Sequence, residues 1–73
     1  MSYVEDKAFE LANLALDEAK AAGDTKIVDE IGEILGASSQ SLQESYLTAV
    51  RVRRAEERAR QLLRERAATR TAL

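Results

Sequence analysis

The feature that most constrains this chain is its scarcity of helix breakers. Its 73 residues contain no proline and three glycines, and neither residue type occurs after Gly36. Proline and glycine are the two residues that most destabilise a helix interior. The sequence therefore predicts an all-α fold, in which Gly23 and Gly36 end the first two helices with the left-handed backbone that such ends favour.

Two shorter helices are predicted in the first half of the chain. The first spans residues 3–22, with apolar residues at helical spacing: Val4, Ala8, Leu11, Ala12, Ala15, Leu16 and Ala19. The second spans residues 26–35, after a cap at Asp24 or Thr25, with the apolar face Ile27, Val28, Ile31, Ile34 and Leu35. Because glycine costs about 1 kcal/mol relative to alanine inside a helix, Gly32 indicates that another element packs against its backbone.

A long third helix is predicted over residues 39–68, with a cap at Ser38 or Ser39 and a length of about 45 Å. Ser41 and Glu44 match a capping box, which would start the helix a few residues later. Its apolar residues recur close to every 3.5 positions, which is typical of a coiled-coil seam. The two shorter helices pack on its N-terminal part but cannot cover all of it. We therefore expect copies of the chain to associate through an interface built from Leu42, Tyr46, Ala49, Val52, Ala59 and Leu63.

Oligomerisation would also stabilise what is predicted to be one small domain over residues 1–73. A domain of this size buries only about 60% of its unfolded surface. The chain has no cysteine for disulfides and no histidine or cysteine for zinc, so association is the means of stabilisation that remains. We expect no bound metal and no cofactor.

Charge is divided between the two ends of the chain. Residues 1–50 carry ten acids against three lysines, a net charge of −7, whereas residues 51–73 carry eight arginines against three glutamates, a net charge of +5. Arginine pairs in two-pronged fashion with phosphates and carboxylates, so the basic end is suited to a polyanion or to acidic protein surfaces. The opposite charges also suggest that copies pack head to tail.

The composition argues against catalysis and against a membrane span. Histidine and cysteine are absent, no serine has an activating base beside it, and the three glycines match no phosphate-binding loop. No apolar run approaches 18 residues, and the acidic start of the chain does not resemble a signal peptide. We expect a non-enzymatic protein of the cytoplasm.

The junction of the second and third helices resembles a helix-turn-helix. That motif has an apolar residue, a small residue, Leu-Gly in the turn and an apolar residue about six positions later, which Ile31, Gly32, Leu35-Gly36 and Leu42 match. In a DNA-binding motif the groove-facing side chains would be Gln40, Ser41, Gln43 and Glu44. The alternative is a structural turn, since a short helix followed by glycine and a serine cap gives the same pattern and the surrounding segment is acidic.

Arginines form two rows on the third helix. Arg51, Arg54 and Arg58 share one side, and Arg53, Arg60 and Arg64 share another. Such a row can bind phosphates without regard to sequence, face solvent, or dock on the acidic helices of the next copy. Glutamates at helical spacing, in pairs such as Glu56–Arg60, Arg53–Glu57 and Arg54–Glu57, would support the helix by a few tenths of a kcal/mol each.

The segment 42–59, LQESYLTAVRVRRAEERA, joins this junction to the arginine-rich helix, and the arrangement resembles that of small terminase subunits. The resemblance covers about a quarter of the chain and includes no diagnostic motif. It implies a non-enzymatic ring that binds double-stranded DNA and passes it to a large terminase motor. The chain departs from the family in its short length and its acidic N-terminal helices. The alternative is a protein-only helical adaptor or regulator whose arginines bind an acidic protein partner.

Overall fold

The computed structural model describes residues 2–72, which form three α-helices: α1 (Tyr3–Ala22), α2 (Lys26–Ser38) and α3 (Gln40–Ala72). The prediction of an all-α fold with two shorter helices on a long one is confirmed, because α1 and α2 both pack against α3 and against each other. The bounds of α1 are as predicted, whereas α2 ends three residues later and α3 reaches Ala72 rather than residue 68.

The connection between α1 and α2 follows the predicted chemistry. Gly23 ends α1 in the left-handed conformation, with φ 67°, and its N–H donates to the Ala19 carbonyl. Asp24 then accepts a hydrogen bond from the Lys26 N–H at 2.9 Å, while the Thr25 side chain makes no capping bond. Of the two predicted caps, the carboxylate of Asp24 is the one that satisfies a free donor at the start of α2.

The prediction that Gly36 ends α2 is wrong. Gly36 lies inside the helix, and Ser39 alone separates α2 from α3, with extended backbone angles and an Oγ that accepts from the Leu42 N–H at 3.2 Å. A Cβ at residue 36 would lie 2.3 Å from the Gln43 side-chain nitrogen, so this glycine leaves room for the Gln43 side chain of α3. The serine supplies the break because it adopts the extended conformation and caps α3.

The core is small and lies between α1, α2 and the start of α3. Its members are buried residues with mostly small side chains: Ala8, Ala12, Ala15, Ala19, Val28, Tyr46, Ala49 and Val50. The four alanines form a stripe along α1 that allows its backbone to approach α3 closely. Nothing polar in this core lacks a partner among residues 2–72, since the described buried side-chain N and O atoms are all hydrogen-bonded.

Tyr46 is the largest residue of the core and ties α3 to α2. Its side chain is fully buried, and its hydroxyl donates to the Val28 carbonyl at 2.6 Å. The ring packs against Gly32, where a Cβ would lie 3.5 Å from the nearest ring carbon, which confirms the predicted contact at this glycine. Burial, together with the charge of Asp29, raises the pKa of the Tyr46 hydroxyl.

The direction of the helices determines which part of α3 is covered. The N-terminal part of α1 lies beside residues 44–52 and its C-terminal part beside residues 53–58, so α1 and α3 run in the same direction. We call residues 40–53 the proximal half of α3 and residues 54–72 the distal half. Every side chain from 54 to 71 is exposed apart from the half-buried Ala67.

None of the three helices, over the residues that the structure describes, is both long and apolar enough to cross a bilayer.

Candidate functional site

The long helix α3 presents three different sides. We call them the core side (Leu42, Tyr46, Ala49, Val50 and Arg53), the arginine side (Arg51, Arg54 and Arg58) and the apolar side (Val52, Ala55, Ala59, Leu62 and Leu63). At 3.6 residues per turn, the core side continues in the distal half through Glu57, Arg60 and Arg64. The core ends where this side becomes charged, so α1 and α2 have nothing apolar to cover beyond that point.

Arg53 marks the boundary between the two halves. Its guanidinium binds the Asn13 side-chain oxygen and Asp17, the latter at 3.0 Å, and lies 3.9 Å from Glu57. With 27% of its side chain exposed, it is the least exposed of the paired bases among residues 2–72. In the predicted row of Arg53, Arg60 and Arg64, Arg53 therefore differs from the other two, because it links α3 to α1.

The arginine side has a different environment. Arg51, Arg54 and Arg58 are all exposed, and none of them takes part in an ion pair within residues 2–72. Arg51 and Arg58 lie seven residues apart, which is about 10.5 Å along the helix. We call α1, α2 and the proximal half of α3 the head of the molecule. The row is thus a short, accessible line of positive charge next to this head.

The apolar side leaves large aliphatic side chains in solvent. The exposed fractions are 55% for Val52, 55% for Leu62 and 69% for Leu63, and Ala55 and Ala59 between them are also exposed. Scattered single exposures of this kind are common, but five apolar residues along one side of a projecting helix form a continuous strip. A strip with no cover from its own chain is the part of α3 best suited to contact another helix.

The predicted interface residues fall into two groups in this structure. Leu42, Tyr46 and Ala49 pack inside the single chain, on the core side. Val52, Ala59 and Leu63 lie on the exposed apolar side. The seam that the sequence presents as one line turns around the helix axis, so that only its second part remains accessible to a partner.

The predicted DNA-reading residues are also separated. Gln40 and Ser41 are exposed at the start of α3, where the Gln40 amide lies 3.4 Å from the Glu44 carboxylate. Gln43 is half-buried, and its amide donates to the Gly32 carbonyl at 2.9 Å. Within the head, Gln43 therefore positions α2 on α3, and the accessible side chains at this junction are next to an acid.

A groove between α1 and α3 was not predicted from the sequence. It has a volume of about 630 Å³ and a floor of Phe9, Ala49 and Val52, and its rim includes Glu5, Asp6 and Glu44. Ser45 and Thr48 complete the wall on α3. The sequence signal was weak: Phe9 lies at the edge of the apolar face of α1, and its proximity to Val52 depends on the parallel packing of α1 on α3.

The groove is lined by carboxylates, hydroxyls and apolar side chains. The groove contains no histidine or cysteine, and within residues 2–72 no three His, Cys, Asp or Glu side chains are grouped as metal ligands. No protein-family model, curated protein or solved structure shows a significant match to this chain.

Proposed function

We propose that this chain is a non-enzymatic, oligomeric DNA-associated protein that uses the arginine side of α3 to bind the phosphate backbone. The resemblance of the chain to small terminase subunits implies this role. Such a DNA-packaging subunit binds double-stranded DNA and a large terminase. The observation that carries the proposal is the row of Arg51, Arg54 and Arg58, which is exposed and takes part in no ion pair within residues 2–72.

The contrast with Arg53 supports this use of the row. Arg53 is held by Asn13 and Asp17, so its charge is partly neutralised within the fold. Arg51, Arg54 and Arg58 form no ion pair within residues 2–72, and like charges at helical spacing repel each other, so the row does not stabilise the helix. The row instead gives a local positive potential that attracts a polyanion, despite a net charge of −2 for the chain.

The salt dependence of DNA binding tests the proposal. Fluorescence anisotropy with a labelled duplex at several salt concentrations should give a logarithmic slope of about −0.9 per phosphate contact. Replacing Arg51, Arg54 and Arg58 together by alanine should remove about three units of that slope. Binding that is flat with salt, or indifferent to the triple substitution, would contradict the proposal.

A matched control separates position from charge. The double variant Arg60→Ala with Arg64→Ala removes two positive charges from another side of the same helix, where Arg60 already contacts Glu56 at 2.7 Å. It should lower the slope by less than one unit, whereas Arg51→Ala with Arg58→Ala should lower it by about two. Equal losses from the two doubles would mean that the whole helix acts as a diffuse charge.

One observation favours the second candidate, a protein-only adaptor whose arginines bind an acidic partner. Arg53 shows the required contact inside the chain, where a guanidinium reaches across to the carboxylate of Asp17 on α1. Arginine-to-lysine substitution at residues 51, 54 and 58 distinguishes the two functions. Binding along a DNA backbone depends mainly on charge and counterion release and should survive this change, whereas a two-pronged contact with a single carboxylate is weakened.

A further inference from the structure

We propose that two copies of this chain pair through antiparallel α3 helices, with the distal half of each copy lying in the α1–α3 groove of the other. The pair is a closed dimer, and it places the arginine sides of both copies on one face. The pairing itself depends only on the surfaces described above, and the use of the shared arginine face rests on the proposed function.

The charge of the groove complements that of the distal half. The groove has an apolar floor of Phe9 and Val52 and, at the N-terminal end of α1, the acids Glu5 and Asp6, with Glu44 on α3. The apolar side of the distal half has the same succession of apolar and then charged residues. Ala59 and Leu63 are followed along that side by two arginines. These arginines are Arg66 and Arg70, and both are exposed.

This order of apolar and charged residues sets the direction in which the distal half enters the groove. The distal half must enter the groove with its C-terminus toward the start of the partner's α3. Only then do its apolar residues contact the apolar part of the groove while its arginines lie beside the acids. Ala59 then lies opposite Val52, and Arg66 lies opposite Ser45, next to Glu44. The spacing agrees, because both intervals are seven residues, or about 10.5 Å. A parallel arrangement would put Arg66 and Arg70 at the apolar end of the groove.

The contact is also two-fold symmetric, so it closes on itself. If Ala59 of one helix lies opposite Val52 of an antiparallel helix, Val52 of the first also lies opposite Ala59 of the second. Both copies then fill each other's groove in one two-fold contact, which is the commonest symmetry of protein oligomers. The alanines at 55 and 59 lie at its centre, where small side chains allow two helices to approach to about 8 Å.

The pair has a consequence for the arginine side. The two-fold axis passes between residues 55 and 56, at right angles to both helices, so the same side of each helix faces the same way. The arginine side extends on both sides of that point, with Arg51 and Arg54 before it and Arg58 after it. Their rows therefore lie side by side on one face of the dimer, about 8–10 Å apart, which is the usual distance between packed helices. The phosphate-binding face is complete only when both copies contribute.

A closed pair differs from the ring that the small-terminase resemblance implies. Every copy uses its groove and its distal half within the pair, so neither surface remains for a third copy. A ring of these chains would need a contact other than this one. The experiment below therefore separates the closed pair, a head-to-tail chain and a parallel coiled coil.

Disulfide trapping tests the pairing directly, because the chain has no cysteine of its own. Val52 and Ala59 are both exposed, so Val52→Cys and Ala59→Cys should fold normally, which circular dichroism can verify. In a glutathione buffer and without DNA, a mixture of the two single variants should form a mixed disulfide at least tenfold faster than either variant forms a disulfide with itself. Preferential self-linking at both positions indicates a parallel coiled coil and overturns the proposal.

A double variant with both cysteines distinguishes the closed pair from a head-to-tail chain. The closed pair gives a covalent dimer with two disulfides and nothing larger, whereas a head-to-tail chain gives a ladder of trimers and higher species. The control is Leu14→Cys, which is exposed on α1 away from the groove and should link slowly in all mixtures. Linking no faster than this control would also overturn the proposal.

Two further variants relate the pair to DNA binding. Leu63→Glu, which changes no arginine, should abolish the mixed disulfide and weaken DNA binding about tenfold. The alanine triple at Arg51, Arg54 and Arg58 should weaken DNA binding while trapping continues at the wild-type rate. Efficient trapping without any DNA binding leaves the pair intact and refutes the proposed function, whereas DNA binding by a chain that does not trap refutes the pair.

Discussion

The two halves of α3 are one continuous helix held in place by different forces. In the proximal half, Tyr46, Ala49 and Val50 are buried and Arg53 is fastened to α1. In the distal half, the observed hydrogen bonds and ion pairs lie within α3, such as Glu56 with Arg60 at 2.7 Å and Gln61 with Glu65 at 3.0 Å. Tertiary packing stabilises the first half, whereas the second has only helix propensity and side-chain pairs worth a few tenths of a kcal/mol each.

This difference explains what each half is available to do. In the proximal half, the apolar residues of the core side pack against α1 and α2 in the head of the molecule. The distal half retains an apolar strip, and its arginines extend from the head into solvent. The lesson is that a coiled-coil-like spacing in the sequence does not reveal how much of the seam the chain itself covers.

The largest expected effect comes from truncating the centre of the proximal half. Tyr46→Ala should cost about 3–5 kcal/mol, the usual loss for a buried aromatic, and should unfold a domain of this size. The matched change in the distal half, Leu63→Ala, should alter stability only by weakening association. Denaturant unfolding at two protein concentrations checks this, because only the Leu63→Ala effect should vanish on dilution.

The next effect tests the close approach of α1. Ala12 is 1% exposed, so Ala12→Leu should force α1 away from α3 and cost about 1–3 kcal/mol. The same substitution at the exposed Ala59 adds a side chain in solvent and should change the stability of the single chain by less than about 0.5 kcal/mol. Equal losses at the two positions, measured by thermal unfolding, would contradict the account of the two halves.

A smaller effect is expected where the halves meet. Arg53→Ala removes the contacts with Asn13 and Asp17 and should cost about 1 kcal/mol, since Asp17 is largely exposed and solvent screens the pair. Arg60→Ala removes a pair formed within the helix and should cost a few tenths of a kcal/mol. The comparison is made by denaturant unfolding at low and high salt, where the Arg53 effect should decrease but remain the larger.

The hydroxyl of Tyr46 gives a pH-dependent test with a comparable effect. Tyr46→Phe keeps the ring but loses the hydrogen bond to Val28, at a cost of about 1 kcal/mol near neutral pH. Burial raises the pKa of Tyr46 above its ordinary 10.0, so the unfolded chain loses this proton first as pH rises. The stabilisation is complete below pH 10 and is lost between pH 10 and the higher folded pKa.

The advantage of wild type over Tyr46→Phe should therefore shrink in that alkaline range. Unfolding free energies of the two proteins across pH 8–12 check the prediction. An advantage that stays constant across that range would mean that Tyr46 ionises equally in both states.

The helix pattern could be predicted from the sequence because it depends on local chemistry. Gly23 and Asp24 end one helix and start the next through contacts within a few residues. Gly36 was wrongly predicted as a helix end because its role depends on Gln43, which meets it only after α3 folds back on α2. The pairs Glu56–Arg60 and Arg53–Glu57 form as predicted, again through local spacing.

The surfaces were harder to predict, because they depend on how far and in which direction α1 covers α3. The sequence placed Tyr46 and Leu63 on one seam, and only the packing shows that the first is inside the head and the second outside. The groove at Phe9 and Val52 was missed for the same reason. The arginine side remained accessible, as one of the sequence interpretations required, although its binding to DNA stays a prediction.

The most direct test of the account is the solution mass of the chain by light scattering at low salt, over a range of concentrations. If the distal half of α3 is a pairing surface, the mass should be twice the 8.1 kDa of one chain, and the Leu63→Glu variant should dissociate to single chains. A mass of one chain at every concentration, or an assembly that grows beyond two copies and is indifferent to Leu63→Glu, would contradict this pairing.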